Sequence, residues 1–273
     1  MNNSYLYHYT NIETLALILK NKTIRLNSLN KMDDLLEGQA SDLNNIGRFV
    51  YISSWTEDEE ESIPMWKMYS SLNRGIRIKL KKDPFVRYSI ADEAQKNGFI
   101  INGEDNEKFS FLFPVKDMIG VPFTTSAAMA NTDNFLYQVE YTDDEALLKP
   151  KVIESDDKST NIRFNRIGRY KSKKWEFQKE WRYLFWAVPM NSFDVKNAVD
   201  NIWRIINAIK NDDLKPPFDH YDLSISDEAF AEMEIMMGPT VSYGMEIMVN
   251  SLVKDYNPTA KVIYSNLKGK IRD

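Results

Sequence analysis

Near the start of the chain the spacing of apolar positions changes twice. Tyr5-Leu6-Tyr7-His8-Tyr9 has the aromatic content of a strand, after which Ile12, Leu15, Ala16, Ile18 and Leu19 recur at helical spacing. Between them, Thr10-Asn11-Ile12-Glu13 reads as a capping box: Thr10 caps the helix and Glu13 reaches back to the cap's amide. Asn21-Lys22 ends the helix before a short strand over Thr23 to Leu26, so the opening is expected to be a compact β-α-β unit.

Further along, Arg48 to Trp55 reads as a buried strand, and Met65 to Tyr69 as a short helix entered through Pro64. Ile76 to Leu80 and Phe135 to Tyr141 alternate as strands, and Glu180 to Val188 is a strand rich in aromatics. Ile162 to Lys173 is expected to be helical with a basic exposed side, and Val195 to Lys210 to be an amphipathic helix stopped by Pro216-Pro217. The chain closes with a strand over Glu232 to Met237, a Gly238-Pro239 turn, a helix and a strand over Ala260 to Leu267. Ser242 caps that last helix, and Met245, Met248, Val249 and Leu252 face inward. Asp83 to Asn134, with its scattered glycines and prolines, is the expected inserted or mobile lobe.

Strands and helices thus mix along the chain, and 273 residues suit one α+β domain, 1–273, carrying an irregular lobe at about 83–134. With 43% apolar and 27% charged residues, a packed core is feasible and disorder is not expected. There are no cysteines, which removes disulfides, thiolate nucleophiles and thiolate metal sites, and fits a reducing cytoplasm. No stretch approaches the roughly 20 apolar residues of a spanning helix, so no membrane partner is expected. The net charge of −5 gives no general attraction for a nucleic-acid backbone. The basic run Arg163 to Lys174 around Tyr170 and Trp175 reads as a solvated face, and the acidic run Glu57 to Glu61 as a solvated loop.

Phosphate-loop, dinucleotide-turn, zinc-helix and serine-elbow motifs are all missing, and with only His8 and His220 no histidine-rich metal centre can form. No metal is expected. His8 ends the first strand just before a helix N-terminus, a position that suits a polar ligand; alone, it reads as hydrogen-bonded structure. Strand alternation places Gln178, Glu180 and Arg182 on one face and Trp181 on the other, which alone reads as an edge ion pair. Trp66 and Tyr69, three apart, share a helical face that serves either core packing or stacking on a planar ring.

Together, Tyr7-His8-Tyr9-Thr10 with its helix, Met32-Asp33-Asp34-Leu35-Leu36-Glu37-Gly38, Met65-Trp66-Lys67-Met68-Tyr69, Glu180-Trp181-Arg182 and Met237-Gly238-Pro239 resemble the bacterial domain-of-unknown-function family two-nine-seven-one. The resemblance covers most of the chain except about Asp83 to Asn134. Where the family usually has Asn-Asp-Pro-Phe-Glu, this chain has Asp33-Asp34-Leu35-Leu36-Glu37: the proline turn is lost while Asp34 and Glu37 match. The family tends to have glutamate where Gln178 stands.

That layout in turn resembles the ADP-ribosyltransferase fold, which implies a mixed, split β-sheet core with flanking helices and NAD as the consumed cofactor. The resemblance implies His8 holding the nicotinamide ribose and Glu180 assisting cleavage of the glycosidic bond. Tyr9 or Tyr69 would stack on nicotinamide with Trp66 as a further aromatic wall, and Thr10 with the helix amides would face its amide or a phosphate. Arg182 joins this cofactor-binding set, and Gln178 would orient the acceptor. Asp34 and Glu37 are read as loop caps or as partners of Arg182.

Three functions follow. The first is an NAD-dependent ADP-ribosyltransferase or NAD glycohydrolase, a bacterial toxin or phage-defence effector acting on a protein or nucleic-acid acceptor. The second is a non-catalytic nucleotide- or protein-binding module, motivated by six tryptophans, 14 tyrosines and 14 phenylalanines. The third is a nuclease holding Mg²⁺ on Asp34, Glu37 and Glu180.

Overall fold

A computed structural model describes residues 4–70, 72–89, 110–114, 117, 123–126, 135–189 and 198–272. Strand β1 (Tyr5–Asn11) runs into helix α1 (Ile12–Asn21), followed by β2 (Thr23–Ser28), β3 (Val50–Thr56), α2 (Ile63–Tyr69) and β4 (Gly75–Lys81). Short strands follow: β5 (Tyr88–Ser89), β6 (Ser110–Phe111), β7 (Phe123–Thr125), β8 (Leu136–Gln138) and β9 (Glu140–Thr142). After α3 (Glu145–Leu148) come β10 (Ile153–Ser155), β11 (Thr160–Ile162), β12 (Tyr170–Ser172) and the long β13 (Glu180–Pro189). The chain closes with α4 (Ala198–Lys210), β14 (His220–Ser224), α5 (Asp227–Ala231), β15 (Glu234–Met237), α6 (Tyr243–Tyr256) and β16 (Lys261–Tyr264).

The fold is α+β around one mixed sheet, ordered β14-β2-β3-β1-β4-β15-β16, with β13 laid against β3. Neighbours are antiparallel except β15 and β16, which are parallel and joined by α6. The pleat sorts the side chains. One face carries Leu6, Tyr51, Trp55, Ile78, Tyr183 and Phe185, packed with α1 and with Val249 and Val253 of α6. The other carries Val50, Ile52 and Leu184, packed with Phe49, Phe164, Ile167 and the α4 residues Ile206 and Ile209. Phe85, Phe113 and Phe123 join the first core, so the described part of the expected lobe is welded to the main body. The remainder of 83–134 lies outside the described residues.

Strand β3 determines where a cavity can open. Strand β13 covers one of its edges from Val50 to Thr56. On the other edge β2 pairs at Tyr51 and Ile52, and β1 pairs at Thr56. Strands β1 and β2 therefore diverge from a common neighbour, and the edge of Ser53, Ser54 and Trp55 between them has no strand partner among the described residues. The sheet is split there. The opening keeps its expected β-α-β order, but β3 stands between β1 and β2, so the two strands are not neighbours in the sheet.

Several local expectations change. The cap of α1 is Asn11, whose Oδ1 accepts the Thr14 amide at 2.9 Å, because β1 stays paired with β4 through Thr10 and Asn11, opposite Ile76 and Gly75, and the helix starts only at Ile12. The expected helix over Ile162 to Lys173 is instead β11, a 3₁₀ turn at Phe164–Arg166, β12 and a 3₁₀ segment at Lys173–Gln178. Gly168 interrupts it at φ +79°, where a Cβ would meet Leu184 Cδ1 at 2.9 Å. The expected strand over Phe135 to Tyr141 breaks at Val139, whose amide donates to the Glu180 carbonyl. Met248 is 52% exposed, whereas Met245, Val249 and Leu252 pack inward as expected, joined by Val253. The part of the expected Val195 to Lys210 helix before Ala198 includes residues outside the described set.

Asn11→Ala removes the side-chain cap and should lower stability by about 1 kcal/mol, read as a lower urea midpoint with an unchanged slope. Asn11→Ser should retain most of it. An unaltered midpoint in the alanine variant would refute the cap assignment.

Candidate functional site

Tyr7, Thr56 and Glu180 lie in one row across β1, β3 and β13, so their side chains share a face. Arg182, two residues on and opposite Ser54, shares it. His8 lies on the opposite face, 5.0 Å from the Trp55 ring. A continuous sheet would keep His8 and Glu180 apart, but at the split both reach one chamber, with Tyr69 and Gln178 on its walls. The chamber holds about 90 Å³ of water-accessible space. An outer groove of about 380 Å³ runs over α1 and β2 and shares His8, Ser54, Tyr69, Met32 and Asp33 with it.

His8 Nδ1 lies 2.8 Å from the Ser54 carbonyl oxygen. A carbonyl only accepts, so the proton sits on Nδ1 and Nε2 carries a lone pair with no partner among the described residues. Burial lowers the His8 pKa and outweighs the carbonyl bond, which raises it. The ring is therefore a neutral acceptor near pH 7.

The floor of the chamber is a buried set of two cations and two anions. Arg182, 1% exposed, donates from Nε to Glu180 Oε1 at 2.6 Å and from Nη2 to Glu180 Oε2 at 2.9 Å. The same Nη2 donates to Glu37 Oε2 at 2.6 Å, and Nη1 donates to the Gly168 carbonyl at 2.9 Å. Lys171 Nζ donates to Glu180 Oε2 at 3.0 Å and to Gln178 Oε1 at 2.7 Å. It also lies 2.8 Å from Glu37 Oε1, an ion pair without the angle of a hydrogen bond. Burial alone would raise the Glu180 carboxyl, but Arg182 and Lys171, helped by the Ser54 hydroxyl, hold it below the ordinary range. Arg182 is raised, since its two carboxylates overcome the cost of burial.

The remaining expected residues divide. Tyr69 lines both chamber and groove, and its hydroxyl accepts from Gln178 Nε2. Tyr9 borders the chamber but is 5% exposed, with its hydroxyl accepting from the Ser62 amide at 3.0 Å and its ring edge-on to Trp66. Trp66 is fully buried and donates to Glu61 Oε2 at 3.0 Å, so it packs beneath the site and offers no stacking wall. Thr10 lines neither space and does not cap α1. Arg182 borders the chamber but is 1% exposed and spends four of its five N–H donors on Glu180, Glu37 and the Gly168 carbonyl. Gln178 is 4% exposed and held at both ends of its amide, so it backs the chamber wall and does not project toward an acceptor.

Asp34 caps the Leu36 amide at 3.0 Å, whereas Glu37 is the partner of Arg182. No cluster of three metal-ligating side chains occurs among the described residues, and Glu37 and Glu180 already share two cations. The Mg²⁺ nuclease thus loses its carboxylates. Glu61, in the expected solvated acidic loop, binds Trp66 Nε1, the Ser265 hydroxyl and the Asn266 amide.

Sequence reasoning missed Lys171, hidden in a basic run whose other members are dispersed. Arg163 and Arg166 pair with Glu154, and Arg169 lies over the Tyr137 ring. It also missed Ser54, although a serine pair inside the otherwise apolar Val50 to Trp55 was a usable signal.

Lys171→Met strands two buried carboxylates on one cation and should cost about 3–5 kcal/mol, measured by urea unfolding. The charge-balanced double variant Glu37→Gln/Lys171→Met should recover most of that loss; simple additivity of the two single changes would contradict the coupling. For His8 the depressed folded pKa fixes the sign: stability is full above about pH 6.5, the unfolded value, and is lost as pH falls toward and through the folded value. Glu180 acts the same way in a lower window, beginning near the ordinary carboxyl pKa of about 4.3. His8→Gln should flatten the urea midpoint just below about pH 6.5 while leaving the acid limb. Identical pH profiles for variant and wild type would exclude His8 as the source.

Compared with family models, with curated proteins and with solved structures, the chain matches none of them.

Proposed function

We propose that this protein is an NAD-using enzyme of the ADP-ribosyltransferase type, a transferase or glycohydrolase, and that its resemblance to family two-nine-seven-one reflects this architecture. The observation that carries the reading is the convergence of His8 and Glu180 on one chamber at a split in the sheet. The inner space of about 90 Å³ is smaller than the roughly 150 Å³ that accepts a benzene ring, so a planar ring would enter from the adjoining groove of about 380 Å³, which has room for a longer ligand.

Breaking the bond between nicotinamide and ribose leaves positive charge on the sugar, which a fixed, ionised carboxylate in a dry site stabilises. Glu180 is such a group. Four donors surround it, two from Arg182, one from Lys171 and the Ser54 hydroxyl. The hydroxyl is the neutral member, so a sugar hydroxyl exchanges with it at least cost. His8 Nε2 accepts a second ribose hydroxyl, and Tyr69 supplies the ring face. Thr10 and Trp66 have no direct part in binding, and Arg182 acts through Glu180. The acceptor is a protein or nucleic-acid group, or water, and a toxin or defence effector is the biological role that fits an enzyme consuming NAD.

The saturation of Glu180 favours one other reading, the non-catalytic binding module. A carboxylate whose charge is matched by two buried cations offers little net field to a developing cation.

Incubation with NAD and cell extract, following nicotinamide release, tests both. Wild type should turn over, and Glu180→Gln should lose about 10²–10³-fold. Calorimetric binding of NAD or ADP-ribose without turnover would establish the module instead. Neither binding nor turnover would remove NAD altogether.

A further inference from the structure

We propose that Lys171 is a positioning residue that makes Tyr69 a hydrogen-bond donor into the chamber, so that the chamber selects a ligand presenting a carbonyl oxygen at that wall. The assignment of that oxygen to the nicotinamide carboxamide rests on the NAD reading above.

An ammonium group can only donate. The Gln178 amide atom 2.7 Å from Lys171 Nζ is therefore the oxygen, and Nε2 is turned away from Lys171 toward the Tyr69 hydroxyl, to which it donates. With its oxygen accepting there, the phenol must place its own proton elsewhere. No described residue accepts it, and Tyr69 borders both the chamber and the groove. Burial, followed by the charges of Asp33, Glu180 and Glu37, raises the phenol, so the proton stays on.

Lys171 itself cannot swing away. Glu180 Oε2 at 3.0 Å, Glu37 Oε1 at 2.8 Å and the Trp175 ring at 4.9 Å surround its ammonium. Without that cation the Gln178 amide is free to turn over. Its oxygen would then take the Tyr69 proton, and the wall would offer a ligand only lone pairs. A buried lysine thus fixes, through Gln178, the polarity of a surface it does not itself form.

Two measurements test this. In ligand-free protein the side-chain amide signals of Gln178, identified by their loss in Gln178→Glu, should shift in Tyr69→Phe and in Lys171→Met. The charge-balanced Glu37→Gln/Lys171→Met serves should the single lysine variant not fold. In calorimetry, wild type should bind NAD about fivefold more tightly than its thiocarboxamide analogue, the worth of about one neutral hydrogen bond. In Tyr69→Phe and in the lysine variants that ratio should fall to about one. Gln178 signals unmoved by these variants would overturn the relay. A moved signal with an undiminished NAD preference would overturn donation to the carbonyl. A moved signal in a protein that binds neither dinucleotide would overturn the NAD reading and the carboxamide assignment, while supporting the orientation of Tyr69.

Discussion

Arg182 cannot be buried alone. Its guanidinium is 1% exposed, and an ion taken from water into a protein interior costs several kcal/mol unless charges and hydrogen bonds answer it. Glu180, two residues away on the same strand face, answers it first, and Glu37 answers it from a loop far away in sequence. Two carboxylates against one cation would leave a buried negative charge, and Lys171 cancels it. The set is neutral only when β13, β12 and the loop before Gly38 are all in place. Gly38 at φ +76° packs against Gly47, which fixes that loop beside the sheet and aims Glu37 inward.

The same set forms the floor of the chamber, which ties the site to the fold. The divergence of β1 and β2 from β3 leaves Ser53 to Trp55 without a strand partner on one edge among the described residues, and His8 uses the Ser54 carbonyl as its anchor. Backbone that a complete sheet would have satisfied internally instead fixes the tautomer of an imidazole. Tyr69, carried by α2 and bonded to Gln178, closes the opposite wall. A protonated phenol, a neutral imidazole and an ionised carboxylate thus border one small space.

Behind the wall, Arg77 lies over the Tyr7 and Tyr9 rings and donates to the Glu59 carbonyl and the Tyr9 hydroxyl. The acidic loop therefore does more than meet solvent. Its backbone is tied to Arg77 and its Glu61 to Trp66 and the segment after β16, which keeps α2, and with it Tyr69, in register with the sheet.

Much of this was legible from residues alone. Period and residue type located β1, α1, α2, β4, β13 and α6, because a strand or helix that buries one face must repeat its apolar positions at its own period. Tyr69, Gln178 and Glu180 were legible as polar or aromatic groups at element ends, whereas His8, expected to end the first strand, lies in the middle of β1, which runs on to Asn11. Tertiary structure decided the rest. Whether Thr10 or Asn11 caps α1 depends on how far β4 draws β1 into the sheet. Whether Trp66 lines a cavity or packs beneath one depends on Tyr9 lying across it. Lys171 is indistinguishable in sequence from its basic neighbours, since what sets it apart is the company of Glu37 and Glu180, and periodicity carries no information about partners that far along the chain. The pleat by itself would have sent His8 and Glu180 to opposite faces; only a gap between two strands, a property of the assembled sheet, lets them meet.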